Sequence, residues 1–135
     1  MNKIFISIVF GTRPELIKLA PVILLAKQDP RFQVEVIFTG QHDELVRDAI
    51  DFFGVEIDHR LKIMNAGQSL NQLLIHGLSQ IENVYTDGQK RDAIVIQGDT
   101  TTVLAAGLVA FSMKVPVAHV EAGLRSYDLD HPFPE

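Results

Sequence analysis

Apolar residues along this chain alternate between short continuous runs and stretches with helical spacing. The first run, residues 4–10, is rich in β-branched and aromatic side chains, which is typical of a strand covered on both faces in a parallel sheet. Similar runs over residues 33–38, 93–97 and 115–120 predict three more strands. A short extended segment is expected over residues 59–63.

Helical spacing appears between these runs. Pro14 and Glu15 suit the first turn of a helix, because proline needs no N–H partner there and a carboxylate complements the positive end of the helix dipole. Pro21 is expected to kink or restart that helix. The other predicted helices cover about residues 43–53, the segment from the capping box of Ser69 and Gln72 to the stop at Asp87-Gly88, and residues 101–113.

This alternation of strands and helices predicts the fold class. It implies an α/β, doubly wound, mainly parallel sheet of the Rossmann-like type, with right-handed crossovers. At 135 residues the chain matches one domain, residues 1–135. Residues 121–135 are polar and irregular, and compact domains rarely end on such a segment. We therefore expect the chain to be the amino-terminal part of a longer protein.

Charge and composition limit the kinds of partner that the protein can bind and the cellular compartment in which it is expected. With 12 Lys and Arg against 17 Asp and Glu, the net charge of −5 opposes binding to nucleic acid. No apolar stretch approaches the roughly 20 residues that a membrane-spanning helix needs, so no membrane partner is expected. The chain contains no cysteine, which excludes disulfides and thiolate metal sites and favours the cytoplasm.

Ligands of open α/β sheets bind beyond the carboxyl ends of the strands, so the segments that follow each strand hold the candidate residues. The turn after the first strand has one glycine and an Arg-Pro pair in place of a glycine-rich dinucleotide fingerprint, which disfavours nicotinamide and flavin cofactors. The histidines show no metal-ligand spacing, so no metal is implied. The candidate segments are residues 11–15, 39–42, 97–102 and 119–126.

Two cations belong to the first of these regions. Arg13, at the start of a helix, offers a fork of donors to phosphate or carboxylate, and its alternative role is a surface ion pair with Glu15 or another acid. Lys18 lies one turn further along the helix. An ordinary solvated helix lysine and a binding lysine remain equal alternatives for it.

Two carboxylates follow later strands. Asp99 precedes three threonines and is either a reactive group or the N-cap of the next helix. Glu121 ends a strand that we expect to be buried, so a raised pKa and an acid or base role are expected. Its alternative is a glutamate that accepts hydrogen bonds from neighbouring loop amides. His119, within the strand, is expected to be a packed core residue.

Taken in order, the motifs of this chain resemble those of the UDP-N-acetylglucosamine 2-epimerase family, non-hydrolysing type. The resemblance covers the whole chain but only the amino-terminal portion of a family member, and it implies a glycosyltransferase-B-type fold whose second, UDP-binding domain is absent here. The motifs that carry it are Gly11-Thr12-Arg13-Pro14-Glu15, Thr39-Gly40-Gln41-His42, Gln97-Gly98-Asp99-Thr100, residues 119–126 with the sequence HVEAGLRS, and Pro132-Phe133-Pro134-Glu135.

The resemblance also implies an activity. Family members interconvert UDP-N-acetylglucosamine and UDP-N-acetylmannosamine by anti elimination of UDP, which gives 2-acetamidoglucal, and re-addition of UDP. No cofactor is implied, and the full-length enzyme is expected to be a homodimer. The implied residues are Arg13 and Lys18 for substrate binding, Asp99, Glu121 and Glu135 for acid, base or charge-stabilising roles, and Gln41 and His42 for an allosteric site that binds UDP-N-acetylglucosamine.

Three alternative functions remain open, and they differ in the product that is released. A hydrolysing relative releases UDP and free N-acetylmannosamine, a glycosyltransferase of the same fold needs an acceptor site, and a non-catalytic module binds the sugar nucleotide without turnover. The absence of the second domain predicts that this chain alone is inactive or nearly so.

Overall fold

A computed structural model describes residues 2–40 and 44–132 as one α/β unit. Five parallel strands form a single sheet in the order β3-β2-β1-β4-β5. The elements are β1 (Ile4–Phe10), α1 (Arg13–Gln28), β2 (Phe32–Phe38), α2 (Glu44–Phe53), β3 (His59–Arg60), α3 (Leu70–Val84), a 3-10 turn (Tyr85–Asp87), β4 (Ala93–Gln97), α4 (Thr101–Ser112) and β5 (Val117–Val120).

The central strand β1 sets the register of the sheet. It pairs with β2 along its whole length and with β4 from Ile6 to Ile8. The chain winds outward from β1 in one direction through β2 and β3, and in the other through β4 and β5. This order confirms the doubly wound, Rossmann-like class predicted from the alternation of elements.

The sheet separates two apolar cores. Ile8 and Phe10 of β1 face α1 and α2, whereas Val9 between them faces α3 and α4. All three side chains are at most 1% exposed, which explains why β1 is a continuous apolar run without polar alternation. Burial of each such side chain contributes roughly 1.5–3 kcal/mol, so the sheet is a firm base for the loops at its carboxyl edge.

Two sequence expectations about elements are corrected. Of the two outcomes expected at Pro21, a kink or a restart, the restart is wrong, because one helix, α1, runs through this residue. The last strand is shorter than expected and its residues are mostly exposed, so the expected buried strand is an exposed edge strand in the described chain. The capping box of Ser69 and Gln72 and the stop at Gly88, whose φ is 80°, are confirmed.

One apolar face of the unit has no cover among the described residues. Leu104, Leu108 and Phe111 on α4 and Val117 on β5 are between 41% and 82% exposed. Within the same ranges, no helix is both long and apolar enough to cross a membrane.

Candidate functional site

The carboxyl ends of β1, β4 and β5 are neighbours in the sheet, and together with α1 and α4 they enclose a cleft of about 1140 Å³. Lys18 from α1 and Asp99 from the β4 exit turn line it. His119, Glu121 and Arg125, from β5 and the segment after it, line the same cleft. The structure therefore brings together three predicted site residues that are far apart in sequence, namely Lys18, Asp99 and Glu121.

A buried carboxylate, Glu15, fixes the floor of this cleft. Its side chain is 2% exposed, and its Oε2 accepts hydrogen bonds from the backbone N–H of Gly11 at 2.8 Å and of Thr12 at 2.6 Å. Its Oε1 accepts a third bond from the hydroxyl of Thr100 at 2.7 Å. Glu15 thus ties the exit of β1 to the exit of β4.

The same residue completes a capping box with Thr12, the N-cap of α1. The Thr-x-x-Glu spacing is a recognised signal of this motif, and it was present in the sequence but was not used in the prediction. Because the Glu15 carboxylate is occupied by these donors, it is not an ion-pair partner of Arg13. The part of that alternative that names Glu15 is therefore wrong.

The turn after β4 presents Asp99 to the cleft. Gly98 has a φ of 83°, a left-handed conformation that favours glycine and turns the chain out of the strand. Thr100, and not Asp99, is the N-cap of α4, since its hydroxyl accepts from the N–H of Val103. The cap alternative for Asp99 is therefore wrong. Asp99 is exposed, and its carboxylate has no hydrogen-bond partner among the described residues.

Glu121, which follows β5, lines the same cleft and is paired with a cation. Its Oε2 accepts from the Nζ of Lys18 and from the side-chain amide of Gln97. The hydrogen bond from Lys18 lowers the pKa of Glu121 below its ordinary value, and Gln97 adds to this effect. The expected raised pKa is therefore wrong, because Glu121 follows an exposed strand and its side chain is 38% exposed.

The backbone of Glu121 is unusual as well. Its φ of 60° lies in the left-handed region, which is uncommon for a residue other than glycine. Such conformations persist where the surroundings enforce them and are frequent at functional sites. The partners of its carboxylate in the structure are two side chains, so the alternative of a glutamate held by loop amides is not supported.

His119 is a cleft residue that the sequence analysis set aside. It was expected in the core, but it lies on the exposed strand β5 and lines the cleft. Its Nε2 donates to the carbonyl oxygen of Gly98 at 2.6 Å, which links β5 to the Asp99 turn. No local sequence signal distinguishes an exposed edge strand from a buried one, since both are short apolar runs.

The other predicted site residues lie elsewhere. Arg13 is exposed at the start of α1 and lines a separate groove of about 400 Å³ against α2, beside Asp48 and Phe52. Gln41, His42 and Glu135 lie outside the described residues. Within residues 2–40 and 44–132, no group of three or more His, Asp or Glu side chains is arranged to hold a metal ion.

The cleft therefore combines an amine with two carboxylates in different environments. Glu121 is held in its ionised form by Lys18, whereas Asp99 faces the cleft without a partner among the described residues. Such a set binds an anionic ligand through the amine and offers carboxylates for proton transfer or for stabilisation of developing positive charge.

Comparison with known proteins gives consistent results. The family model described as UDP-N-acetylglucosamine 2-epimerase matches residues 25–135. Proteins named UDP-N-acetylglucosamine 2-epimerase from Neisseria meningitidis and Salmonella typhimurium are 44% and 42% identical over 127 residues, which is 94% of this chain. The chain spans 34% of the length of each of these curated relatives.

A solved structure agrees with the fold. The crystal structure of UDP-GlcNAc 2-epimerase from Neisseria meningitidis bound to UDP-GlcNAc superposes with a TM-score of 0.90 at 43% identity. The match covers 97% of this chain and 35% of that structure.

Proposed function

Because this chain belongs to the UDP-N-acetylglucosamine 2-epimerase family, we propose that it forms part of a longer protein that interconverts UDP-N-acetylglucosamine and UDP-N-acetylmannosamine. The observation that carries the proposal is the meeting of Lys18, Asp99 and Glu121 in one cleft at the carboxyl edge of the sheet. The names of the relatives and the bound UDP-GlcNAc in one of them support the choice of substrate.

The reaction is a reversible elimination. A base removes the proton from C2 of the sugar, the C1–O bond to UDP breaks, and a C1–C2 double bond forms in 2-acetamidoglucal. Re-addition of UDP at C1 with protonation of C2 from the opposite face gives the epimer, so no oxidant or reductant is consumed. The C2 proton is not acidic, and the reaction therefore needs both a base and stabilisation of an oxocarbenium-like state.

The environments in the cleft support different roles for its residues. Glu121, whose pKa is lowered, is ionised near neutral pH and suits the base or the charge-stabilising role, not that of the acid. The amine of Lys18 is suited to bind the diphosphate, which carries the negative charge of the substrate. Asp99 is the other carboxylate of the set, and Arg13, Glu135, Gln41 and His42 keep the binding, catalytic and allosteric roles that the family implies.

Solvent exchange tests the reaction. The full-length protein, incubated with UDP-N-acetylglucosamine in deuterated water, should yield UDP-N-acetylmannosamine with deuterium at C2, as read by mass spectrometry and NMR. Free N-acetylmannosamine with UDP would instead identify the hydrolysing alternative. Binding without any product, unchanged by Asp99→Asn and Glu121→Gln, would identify a non-catalytic module.

The chain on its own is proposed to be inactive or nearly so. Lys18, Asp99 and Glu121 are exposed to solvent in the described chain, and electrostatic stabilisation of a transition state requires a site from which water is excluded. The expected result is no detectable turnover of UDP-N-acetylglucosamine by the purified 135-residue chain under conditions in which the full-length protein is active. Measurable turnover by the chain would overturn this.

Two further features belong to the proposal. The absence of cysteine supports a place in the cytoplasm, and the family resemblance supports a homodimer of the full-length protein. Sedimentation analysis of the full-length protein tests the second.

A further inference from the structure

Gln97 is the least exposed polar side chain at the cleft apart from Glu15. It is 3% exposed and ends β4, where it lies opposite Val120 in the register of the sheet. From there its side-chain amide donates to Oε2 of Glu121, the oxygen that Lys18 also contacts. Two donors therefore converge on one carboxylate oxygen.

The two donors differ in mobility. Gln97 is fixed by its strand and its burial, whereas the Lys18 side chain is 48% exposed on a flexible four-carbon stem. An anionic substrate that enters the cleft competes with Glu121 for the Lys18 amine, because phosphate and carboxylate offer the same kind of acceptor. The amide of Gln97 is neutral, so an anionic substrate attracts it much less than it attracts the Lys18 amine.

Glu121 lies at the end of an edge strand of the described sheet, where few backbone hydrogen bonds restrain its position. β5 pairs only with β4 among the described residues, and the left-handed backbone of Glu121 places it beyond the last pair of that ladder. A long side chain at such a position is free to rotate once its ion pair opens, and a misplacement of about 1 Å costs an active site roughly a hundredfold in rate.

We propose that Gln97 is a positioning residue, which holds the Glu121 carboxylate in its reactive orientation while Lys18 turns to the anionic substrate. The proposal rests on the proposed function, since it assumes that Glu121 acts in the elimination. The hydrogen bond itself is testable without substrate.

The first experiment measures the titration of Glu121 by NMR in the full-length protein with ¹³C-labelled glutamate carboxyl groups. The Glu121 signal is identified by its loss in Glu121→Gln. Lys18→Met imitates the departure of the amine and removes the largest cause of the low pKa, so the pKa of Glu121 should rise in this variant, while Gln97 still donates to its carboxylate. In the double variant with Gln97→Met it should rise further. No further rise would overturn the proposal.

A matched control separates the hydrogen bond from general destabilisation. Ile94→Val, on the same strand and fully buried, removes one methylene group and should lower stability without moving the Glu121 titration. If Ile94→Val shifts the pKa of Glu121 as much as Gln97→Met does, the effect is structural and the proposal fails.

The isosteric variant Gln97→Glu gives a readout that a purely structural role would not produce. A protonated carboxylic acid at position 97 donates to Glu121 as the amide does, whereas an ionised one repels it. Activity of Gln97→Glu relative to the parent should therefore recover as the pH is lowered. A constant ratio across pH would count against the proposal.

Kinetics complete the test. Gln97→Met should lower kcat by about tenfold or more with little change in KM, because the contact orients a reacting group and does not touch the substrate. A rise in KM of about the same factor, with kcat unchanged, would overturn the positioning role. If the parent protein does not epimerise its substrate but Gln97 controls the titration of Glu121, the proposed function fails while the positioning contact stands.

Discussion

Thr100 carries two structural bonds through one hydroxyl group. The oxygen accepts from the N–H of Val103 as the N-cap of α4, and the hydroxyl donates to the buried carboxylate of Glu15. Thr100→Val keeps the shape of the side chain but removes both bonds. Loss of a cap costs about 1 kcal/mol and an unsatisfied buried acceptor costs about 1–3 kcal/mol, so we expect a loss of roughly 2–3 kcal/mol by urea unfolding.

Asp99→Ala is the control for this prediction. Asp99 is exposed and does not cap the helix, so its removal should change the free energy of unfolding by no more than about 0.5 kcal/mol. A larger loss with Asp99→Ala than with Thr100→Val would mean that Asp99 is the cap, and the catalytic interpretation of that residue would weaken.

At the scale of single residues, the sequence predicted which residues line the site better than it predicted the surroundings of each residue. Lys18, Asp99 and Glu121 were selected as candidates, and the structure gathers them in one cleft. The environment of Glu121 was predicted wrongly, because its partner Lys18 is 103 positions away and no local pattern reveals it. His119 was misplaced for a related reason, since exposure of β5 depends on which elements pack against it.

At the scale of elements, Pro21 is the feature most at odds with local propensity. It lies in the interior of α1 and is exposed, where proline costs about 3 kcal/mol relative to alanine and has no N–H to donate. Pro21→Ala should therefore raise the free energy of unfolding by roughly 1–2 kcal/mol after the greater freedom of the unfolded chain is subtracted. Thermal and urea unfolding measure the gain.

Pro14 provides the matched comparison. It lies in the first turn of the same helix, where backbone N–H groups have no partner within the helix, so proline is well placed there. Pro14→Ala should give no gain and a loss of up to about 1 kcal/mol. Equal gains in both variants would show that position within the helix does not determine the cost of proline here.

Elements were predictable where their signals are local. The continuous apolar run of β1 and the capping box at Ser69 specify a buried strand and a helix start without reference to distant residues, and both were confirmed. The start of β5 and its exposure were not predicted correctly, because an apolar run indicates a strand but does not indicate which element covers it. The helix through Pro21 reflects packing of Leu19, Ala20 and Ile23 in the core, which outweighs a local break.

At the scale of the whole molecule, a buried polar cluster joins parts of the chain on the α3 and α4 side of the sheet. The guanidinium of Arg91, 2% exposed, donates to Glu35 of β2 at 2.8 Å and to Asp87 of the 3-10 turn at 2.9 Å. Its Cζ also lies 4.9 Å from the ring centres of both Phe5 and Tyr85. The cluster joins β2, the 3-10 turn and the segment before β4, and none of its residues lines the cleft, so its loss should affect stability and not the candidate site.

Arg91→Met tests this cluster. Methionine retains much of the packing against the two rings but leaves the carboxylate of Glu35, 8% exposed, with the ring of His59 and no guanidinium beside it. Removal of one partner of a buried ion pair costs up to about 3–5 kcal/mol. The additional change Glu35→Leu should recover most of that loss, because no buried charge then remains. Arg31→Met is the control, since Arg31 also pairs with an aspartate and stacks on a ring but is 69% exposed, and its loss should be small.

The pH dependence of the same variant distinguishes a charge effect from a packing effect. Arg91 lowers the pKa of Asp87 below its ordinary value of 3.8, so the ionised Asp87 contributes stability that is fully present above about pH 4 and is lost as the pH falls through its folded-state pKa. In Arg91→Met the larger part of this contribution, which comes from Arg91, is already absent, and the part from the backbone N–H of Gln89 remains. The difference in free energy of unfolding between the parent and Arg91→Met should therefore narrow below pH 4, whereas a difference that arose from packing alone would stay constant with pH.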